Sequence, residues 1–139
     1  MTKLILIRHG ETEYNFGIFE GLTYSEIMEN YPTLYRNWIS NPLNILFPEG
    51  EGFEEFKKRV FDALSLIVSL NKDKTIAIVT HSGPIRLILC EARGCGFEKF
   101  WEANQGNATF SVIDYSDDCI AVAVEVDEFL HLLTKGDRR

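Results

Sequence analysis

Two predominantly apolar runs mark the first strands of a predicted sheet. Residues 3–8 (KLILIR) and 75–80 (TIAIVT) are short and almost continuously apolar, a pattern typical of a parallel strand that is covered on both faces. Two further runs, at 108–115 and 119–126, are separated by Ser-Asp-Asp and indicate a hairpin. The pattern therefore predicts a sheet of about four strands.

Helical signals fill the intervals between these strands. Apolar side chains recur every three to four positions over residues 53–68, which predicts an amphipathic helix. Thr23 and Glu26 have the spacing of a capping box, and a second short helix over 32–40 starts with proline. Pro84 stands where the first turn of another helix tolerates proline. Strands alternating with helices predict an α/β fold, a three-layer sandwich whose mostly parallel sheet has helices on both faces.

The composition fits one domain and narrows the range of partners. The chain has 139 residues, 45% of them hydrophobic, so residues 1–139 are predicted to form a single domain. Its 14 basic and 21 acidic residues give a formal charge of −7, which argues against nucleic acid or an anionic membrane held by a positive field. An anionic ligand must therefore be captured by local positive groups.

The opening residues and the cysteines indicate a cytoplasmic protein. The first apolar stretch is four residues long and ends in Arg8, unlike a signal peptide, and no apolar run approaches the roughly 18 residues of a membrane span. Cys90, Cys95 and Cys119 are odd in number and lack a CxxC spacing. We therefore expect reduced thiols.

The chemistry of the chain is concentrated where the two apolar strands end. His9 follows Arg8 at the end of the first strand, and His81 directly follows the second. Ligands of parallel sheets bind outside the carboxyl ends of the strands, so we expect both imidazoles to face one crevice. An imidazole can attack a phosphoryl group and form a phosphohistidine that water later hydrolyses.

A phosphoryl-transfer site also needs positive charge, N–H donors and an acid. Arg8 offers a bidentate guanidinium, while Ser82 and Gly83 offer backbone N–H groups at the start of a helix. Gly10 lets the backbone come close to the phosphate. The leaving alkoxide needs a proton from a carboxylic acid, for which the chain offers Glu11, Glu13 and Glu20.

Other interpretations of these histidines remain open. A single histidine beside an arginine often makes only structural hydrogen bonds, although two in matching positions favour a site. His9, His81 and a glutamate could instead hold a metal ion. Arg8, next to the ligand His9, would repel a cation, however. We therefore expect neither a metal nor a cofactor. His131 lies on an amphipathic stretch, where a surface or core position is expected.

Four segments resemble signature blocks of the histidine phosphatase superfamily, the phosphoglycerate-mutase-like group. LIRHGETEYN (6–15) resembles the opening signature, and FGIFEGLTYSEIMENYP (16–32) resembles the second block. PEGEGFEEFKKRV (48–60) and IAIVTHSGPIR (76–86) are similar to the blocks that follow. The sequence of the second block is most similar to that of α-ribazole-phosphate phosphatases.

The resemblance implies roles for individual residues. His9 would be the phosphorylated nucleophile, with Arg8 and Asn15 as phosphate ligands. His81 would hold the phosphoryl oxygens, and Glu13, three residues before the Phe-Gly of the second block, would give a proton to the leaving group. These roles would make the chain a phosphomonoester hydrolase that acts on a small phosphorylated metabolite without a cofactor.

The chain departs from the family pattern between its first two blocks. In family members a helix, a strand and another helix separate these blocks, whereas here the blocks are fused. The missing segment normally carries the second arginine on the phosphate. The resemblance therefore implies a weakened enzyme or, alternatively, a non-catalytic anion-binding relative.

The missing strand also has a structural implication. It would flank residues 75–80, which are left as a sheet edge without a charge, a proline or a bulge to protect it. We therefore expect a homodimer that covers this edge. Neither nucleic acid nor a membrane is expected as a partner.

Overall fold

The described part of the chain forms four α-helices and four strands. The computed structural model describes residues 1–8, 17–19, 21–103, 105–106 and 109–127, with the backbone alone for 126 and 127. In chain order the elements are β1 (Thr2–Arg8), α1 (Tyr24–Asn30), α2 (Pro32–Ser40), α3 (Phe53–Leu70), β2 (Thr75–Thr80), α4 (Ser82–Ala92), β3 (Phe110–Tyr115) and β4 (Ala121–Asp127). The predicted α/β class is confirmed.

The strands form one mixed sheet in the order β2-β1-β3-β4. β1 and β2 are parallel, whereas β1–β3 and β3–β4 are antiparallel. The expectation of a mostly parallel sheet was wrong. After α4 the chain returns to the carboxyl end of β1, where the Arg8 N–H donates to the Thr109 carbonyl at 3.2 Å. β3 therefore starts at that end and runs in the opposite direction, and a short turn reverses the chain again into β4.

The predicted strand boundaries agree with the structure to within two residues. The prediction for 75–80 coincides with β2, and 3–8 begins one residue later than β1. The runs 108–115 and 119–126 correspond to the shorter β3 and the shifted β4. Cys119 has a φ of 60°, and its N–H donates to the Ser116 carbonyl, so this residue belongs to the turn.

α3 and α4 cover one face of the sheet. Leu4, Leu6, Ile113 and Tyr115 on that face are fully buried with side chains of both helices. Residues of the opposite face are more exposed, and Val79 reaches 60%. Helices were expected on both faces. Of the helices that the structure describes, α3 and α4 pack on this face, whereas the buried residues of α1 and α2 belong to a separate cluster.

A second cluster lies apart from the sheet and is mainly aromatic. It consists of Phe19, Ile27, Trp38, Ile45 and Phe47, and we refer to it as the aromatic cluster. It joins α1 and α2 to the loop before α3. The short turn Gly17–Phe19 enters this cluster from the first part of the chain.

Gly17 fixes that entry by close backbone contact. Its φ is 57°, and a Cβ at this position would lie 2.2 Å from the carbonyl oxygen of Pro48. The neighbouring Ile18 N–H donates to the same carbonyl at 3.0 Å. Only glycine fits both the conformation and the contact.

The capping box of α1 is confirmed. The Thr23 side chain accepts a hydrogen bond from the Glu26 N–H, and the Glu26 carboxylate accepts one from the Thr23 N–H at 2.7 Å. Among the helices placed in the structure, none combines the length and the apolar character needed to cross a bilayer.

Candidate functional site

The carboxyl ends of β1 and β2 meet at one end of the sheet. In the parallel register Arg8 pairs with Thr80, and His81 is the next residue. Neighbouring strands lie about 4.8 Å apart. Arg8 and His81 therefore stand at adjacent strand ends, as the sequence predicted.

His81 also forms the N-cap of α4. Its backbone is extended, with φ −107° and ψ 172°, and its carbonyl accepts the Ile85 N–H at 3.1 Å. Ser82 and Gly83 occupy the first two helical positions, where the backbone N–H groups have no partner within the helix. These N–H groups and the helix dipole favour an anion at this end.

Gly83 allows α3 to pack directly against this helix start. A Cβ at Gly83 would lie 3.1 Å from Cζ of Phe56, closer than a side chain usually tolerates. Phe56 is itself almost fully buried. The glycine of the His-Ser-Gly motif therefore has a packing role as well as a role in exposing the N–H groups.

Phe56, which lies against Gly83, also lines a small apolar hollow. The space inside it that a water molecule could occupy is about 20 Å³, room for roughly one water. Aromatic side chains line most of it, and Glu51 is the one ionisable residue among the described residues that line it. Its aromatic lining consists of Trp38, Phe47, Phe53, Phe56 and Phe100.

Arg8 is held by Gln105, a residue that no sequence pattern had indicated. Nη1 of Arg8 donates to the carbonyl oxygen of Gln105, and Gln105 is only 3% exposed. The Gln105 side-chain amide donates to the carbonyls of Leu6 at 3.1 Å and Thr109 at 2.8 Å. The side-chain oxygen Oε1 of Gln105 accepts a hydrogen bond from the Ser111 hydroxyl at 2.7 Å. Gln105 thus fixes its own backbone, which in turn orients Arg8.

The sequence carried no signal for Gln105. It lies in a polar, glycine-containing stretch (NQGN, residues 104–107) between α4 and β3, which is typical of an exposed loop. The side-chain amide is satisfied by Thr109 and Ser111, close in sequence, and by the Leu6 carbonyl, 99 residues away, which becomes a neighbour only after folding.

Other arginines in the described ranges have structural partners. Arg59 donates to both carboxylate oxygens of Glu51, and these hydrogen bonds raise the pKa of the guanidinium. Arg36 donates to the Pro32 carbonyl of its own helix at 3.2 Å. Arg93 is the C-cap of α4, at the opposite end from the anion site.

Arg86 is likewise engaged in packing. Its Nη1 donates to the carbonyls of Phe100, at 3.2 Å, and Trp101. Its guanidinium also lies 5.2 Å from the centre of the Trp101 ring. These contacts assign Arg86 to holding the 97–103 segment against α4.

The three cysteines are free thiols. The pKa of the Cys90 thiol is raised to about 12, mainly by burial and secondly by the neighbouring Cys95. Cys90 is therefore protonated and unreactive near neutral pH. Within the described ranges no group of three histidine, cysteine or acidic side chains is arranged to hold a metal ion.

The structure brings together half of the predicted site residues. Arg8, His81, Ser82 and Gly83 lie at one end of the sheet. The remaining four fall outside the described residues, and their roles stay predictions. These four are His9, Gly10, Glu13 and Asn15.

Comparison with known proteins is consistent with this geometry. The family model of the histidine phosphatase superfamily (branch 1) matches residues 12–128. Phosphoserine phosphatase 1 of Hydrogenobacter thermophilus is 32% identical over 101 residues, which are 73% of this chain and 48% of the relative. Adenosylcobalamin/alpha-ribazole phosphatase of Escherichia coli is 24% identical over 102 residues, 73% of this chain and 50% of the relative.

The chain thus matches about half the length of these curated relatives. Among solved structures, YhfR of Bacillus stearothermophilus superposes with a TM-score of 0.79 at 17% identity, covering 91% of this chain and 96% of that chain. At that identity the likeness concerns the fold alone. The match of the family model to residues 12–128 shows that this chain belongs to the histidine phosphatase superfamily, branch 1.

Proposed function

We propose that this chain is a phosphomonoester hydrolase that works through a phosphohistidine on His9. The observation that carries the proposal is the parallel pairing of β1 and β2, which sets Arg8 beside the start of α4. His9 is the residue after Arg8. A nucleophile attached at this point would be within reach of a phosphate held by the helix N–H groups.

The proposed reaction has two steps. An imidazole nitrogen of His9 attacks phosphorus, the bond to the ester oxygen breaks, and Glu13 gives that oxygen a proton. Water then attacks the phosphohistidine, the P–N bond breaks, and inorganic phosphate leaves while Glu13 takes back a proton. Arg8, His81 and the α4 N–H groups stabilise the charge on the phosphoryl oxygens in both steps.

We further propose that this activity is weak. The arginines of the described ranges other than Arg8 are engaged by Glu51, by backbone carbonyls or at the far end of α4. Removal of one preorganised donor typically costs about 3 kcal/mol of transition-state stabilisation, on the order of a hundredfold in rate. A chain with one arginine on the phosphate is expected to be slower than its relatives by that factor.

The proposed substrate is a small phosphorylated metabolite. Relatives are named for phosphoserine and for α-ribazole phosphate, and both are monoesters of small alcohols or sugars. The reduced thiols support a cytoplasmic place of action.

Turnover of p-nitrophenyl phosphate tests the proposal. We expect activity in the wild type, loss of activity in His9→Ala and His81→Ala, and retention in His131→Ala, the matched control among the three histidines of the chain. Activity should persist in the presence of a chelator. Equal turnover in wild type and His9→Ala would contradict the proposal.

The role of Glu13 can be tested separately. Nitrophenolate leaves without a proton, whereas the alkoxide of phosphoserine needs one. Glu13→Gln should therefore slow phosphoserine hydrolysis much more than p-nitrophenyl phosphate hydrolysis. Equal losses on both substrates would exclude Glu13 as the proton donor.

The second candidate is a non-catalytic anion-binding protein. It is favoured by the engagement of Arg36, Arg59 and Arg86 away from the strand ends. This candidate predicts that inorganic phosphate binds in calorimetry and that Arg8→Ala abolishes binding. It also predicts no hydrolysis of either ester and no labelled phosphoenzyme.

A further inference from the structure

β2 has one free side. The Lys3 N–H donates to the Lys74 carbonyl at 2.9 Å, and Lys3 pairs with Thr75. In a parallel ladder this pattern directs every second residue of β2 towards β1. The intervening residues Thr75, Ala77 and Val79 therefore present their N–H and C=O groups to the outside. No strand from the described ranges pairs with that side.

The free side has none of the usual protections of an edge. The six residues of β2 contain no charge and no proline, and the register with β1 is continuous. Ala77 and Val79 are exposed. Ile76 and Ile78 remain only half-buried under the helices, so the helix layer leaves the edge accessible. Such a strand is a template for another strand.

We propose that two copies of this chain pair antiparallel through β2 about a two-fold axis at Ala77. A two-fold axis must be perpendicular to the sheet, because it relates two antiparallel edge strands of identical copies. Residues of the same side-chain face then oppose each other. Centring the axis at Ala77 pairs Ala77 with its own copy and Thr75 with Val79. This register bonds all the outward N–H and C=O groups of β2.

The same register places a cation beside the anion site. Lys74 of one copy would oppose Thr80 of the other, one residue from His81. Lys74 is exposed and lies at the amino end of β2, so it is remote from its own copy's anion site. In the pair it would supply a positive charge next to the partner's site. This step rests on the proposed function, because it assumes that the strand ends bind phosphate.

The pairing is expected to be weak and linked to phosphate. A single strand edge buries less than the roughly 1,200 Å² of a standard stable interface, and the net charge of −7 on each copy opposes association. A ligand that binds the dimer better than the monomer shifts the equilibrium by mass action. Inorganic phosphate should therefore promote dimer formation.

Sedimentation velocity over a micromolar concentration series tests the pairing. We expect a concentration-dependent dimer for the wild type and for Ala77→Val, the matched control that keeps the N–H. Ala77→Pro removes the central outward N–H without touching the bonds to β1, and we expect it to remain monomeric. Val79→Lys, at a side chain that is 60% exposed, should also abolish the dimer and serves if the proline variant fails to fold.

Two results would overturn the pairing. One is a wild type that stays monomeric over the whole series, and the other is a folded Ala77→Pro or Val79→Lys variant that dimerises like the wild type. A monomer that hydrolyses p-nitrophenyl phosphate would refute the pairing and leave the proposed function standing. A dimer that never hydrolyses a phosphate ester would refute the proposed function and leave the pairing standing.

The lysine assignment has its own readout. Inorganic phosphate should lower the dimer dissociation constant of the wild type by about tenfold, within the usual range for coupled sites. Lys74→Gln should lose this shift, whereas Lys72→Gln, two residues earlier, should keep it. An unchanged shift in Lys74→Gln would overturn the assignment of Lys74.

Discussion

Tyr115 is a buried residue whose hydroxyl makes no hydrogen bond to the described residues. Its side chain is fully buried in the sheet core, and the hydroxyl has no hydrogen-bond partner among the residues that the structure describes. Burial, with Glu91 and Cys119 nearby, raises the pKa of this hydroxyl far above its usual range. A buried hydrogen-bond donor that has lost its water and has no protein partner lowers the free energy of unfolding.

Tyr115→Phe should therefore raise the free energy of unfolding by about 1 kcal/mol, because it removes the unpaired hydroxyl and keeps the ring. Urea denaturation of both variants measures the change. Tyr35→Phe, at a half-buried position on α2, is the control and should change stability little. A loss of stability in Tyr115→Phe would mean that the hydroxyl has a partner.

At the scale of single residues, the strand-end motifs could be predicted from the sequence, but their supports could not. Arg8 and His81 were placed correctly because parallel strands bring equivalent ends together. Gln105 was missed because one of its hydrogen-bond partners, the Leu6 carbonyl, lies 99 residues away along the chain, beyond any local pattern. The packing role of Gly83 was missed for the same reason, since Phe56 lies on another helix.

At the scale of elements, α1 depends on its first turn. It spans only seven residues and buries only Ile27, so packing contributes little to its stability. Short helices are marginal without tertiary support or capping. The reciprocal bonds between Thr23 and Glu26 therefore matter more here than in the longer α3.

Thr23→Ala should lower the free energy of unfolding by about 1 kcal/mol, because the Glu26 N–H loses its acceptor. Ser25→Ala, on the exposed side of the same helix, is the control and should leave stability unchanged or slightly higher. Chemical denaturation at neutral pH measures both. Equal stabilities of the two variants would show that the cap is dispensable.

The cap should also give a pH dependence. The hydrogen bonds from the backbone and the hydroxyl of Thr23 lower the pKa of Glu26. A lowered carboxyl pKa stabilises the folded state above the unfolded-state pKa of about 4.3, and this stabilisation is lost as the pH falls through the folded-state pKa. The difference in stability between wild type and Glu26→Gln should therefore exist at neutral pH and vanish in acid. A difference that is constant with pH would contradict this origin.

Element types followed from local patterns, whereas strand direction did not. The apolar spacing of 53–68 predicted α3 to within two residues, and the capping box predicted the start of α1. The antiparallel direction of β3 depends on where the segment after α4 returns to the sheet. Nothing in the local pattern of that segment fixes its path.

At the scale of the whole molecule, Trp101 joins the aromatic cluster to the helices on the sheet. Its indole N–H donates to the Trp38 carbonyl at 3.2 Å, and the two rings lie 5.2 Å apart. Its own carbonyl accepts from Arg86 on α4. Trp101 also packs on Phe100, with ring centres 5.2 Å apart.

Trp101→Ala should uncouple the two parts of the molecule. In the wild type, unfolding followed by circular dichroism and by tryptophan fluorescence should give coincident transitions. In Trp101→Ala the remaining Trp38 reports on the aromatic cluster, and we expect its fluorescence transition at lower urea than the circular dichroism transition. Trp101→Phe, which keeps a ring in place, should show a smaller separation. Coincident transitions in Trp101→Ala would contradict the coupling.

The bond from Arg8 to Gln105 joins positions that are 97 residues apart in the chain. The direction of a guanidinium near the N-terminus is therefore set by a loop that a ligand at the strand ends need not touch. Libraries randomised over 105–109 would tune anion affinity while every residue at the strand ends stays unaltered. A hybrid that takes β1 from this chain and the segment before β3 from another protein would lose this alignment unless that segment also placed a carbonyl beside Arg8.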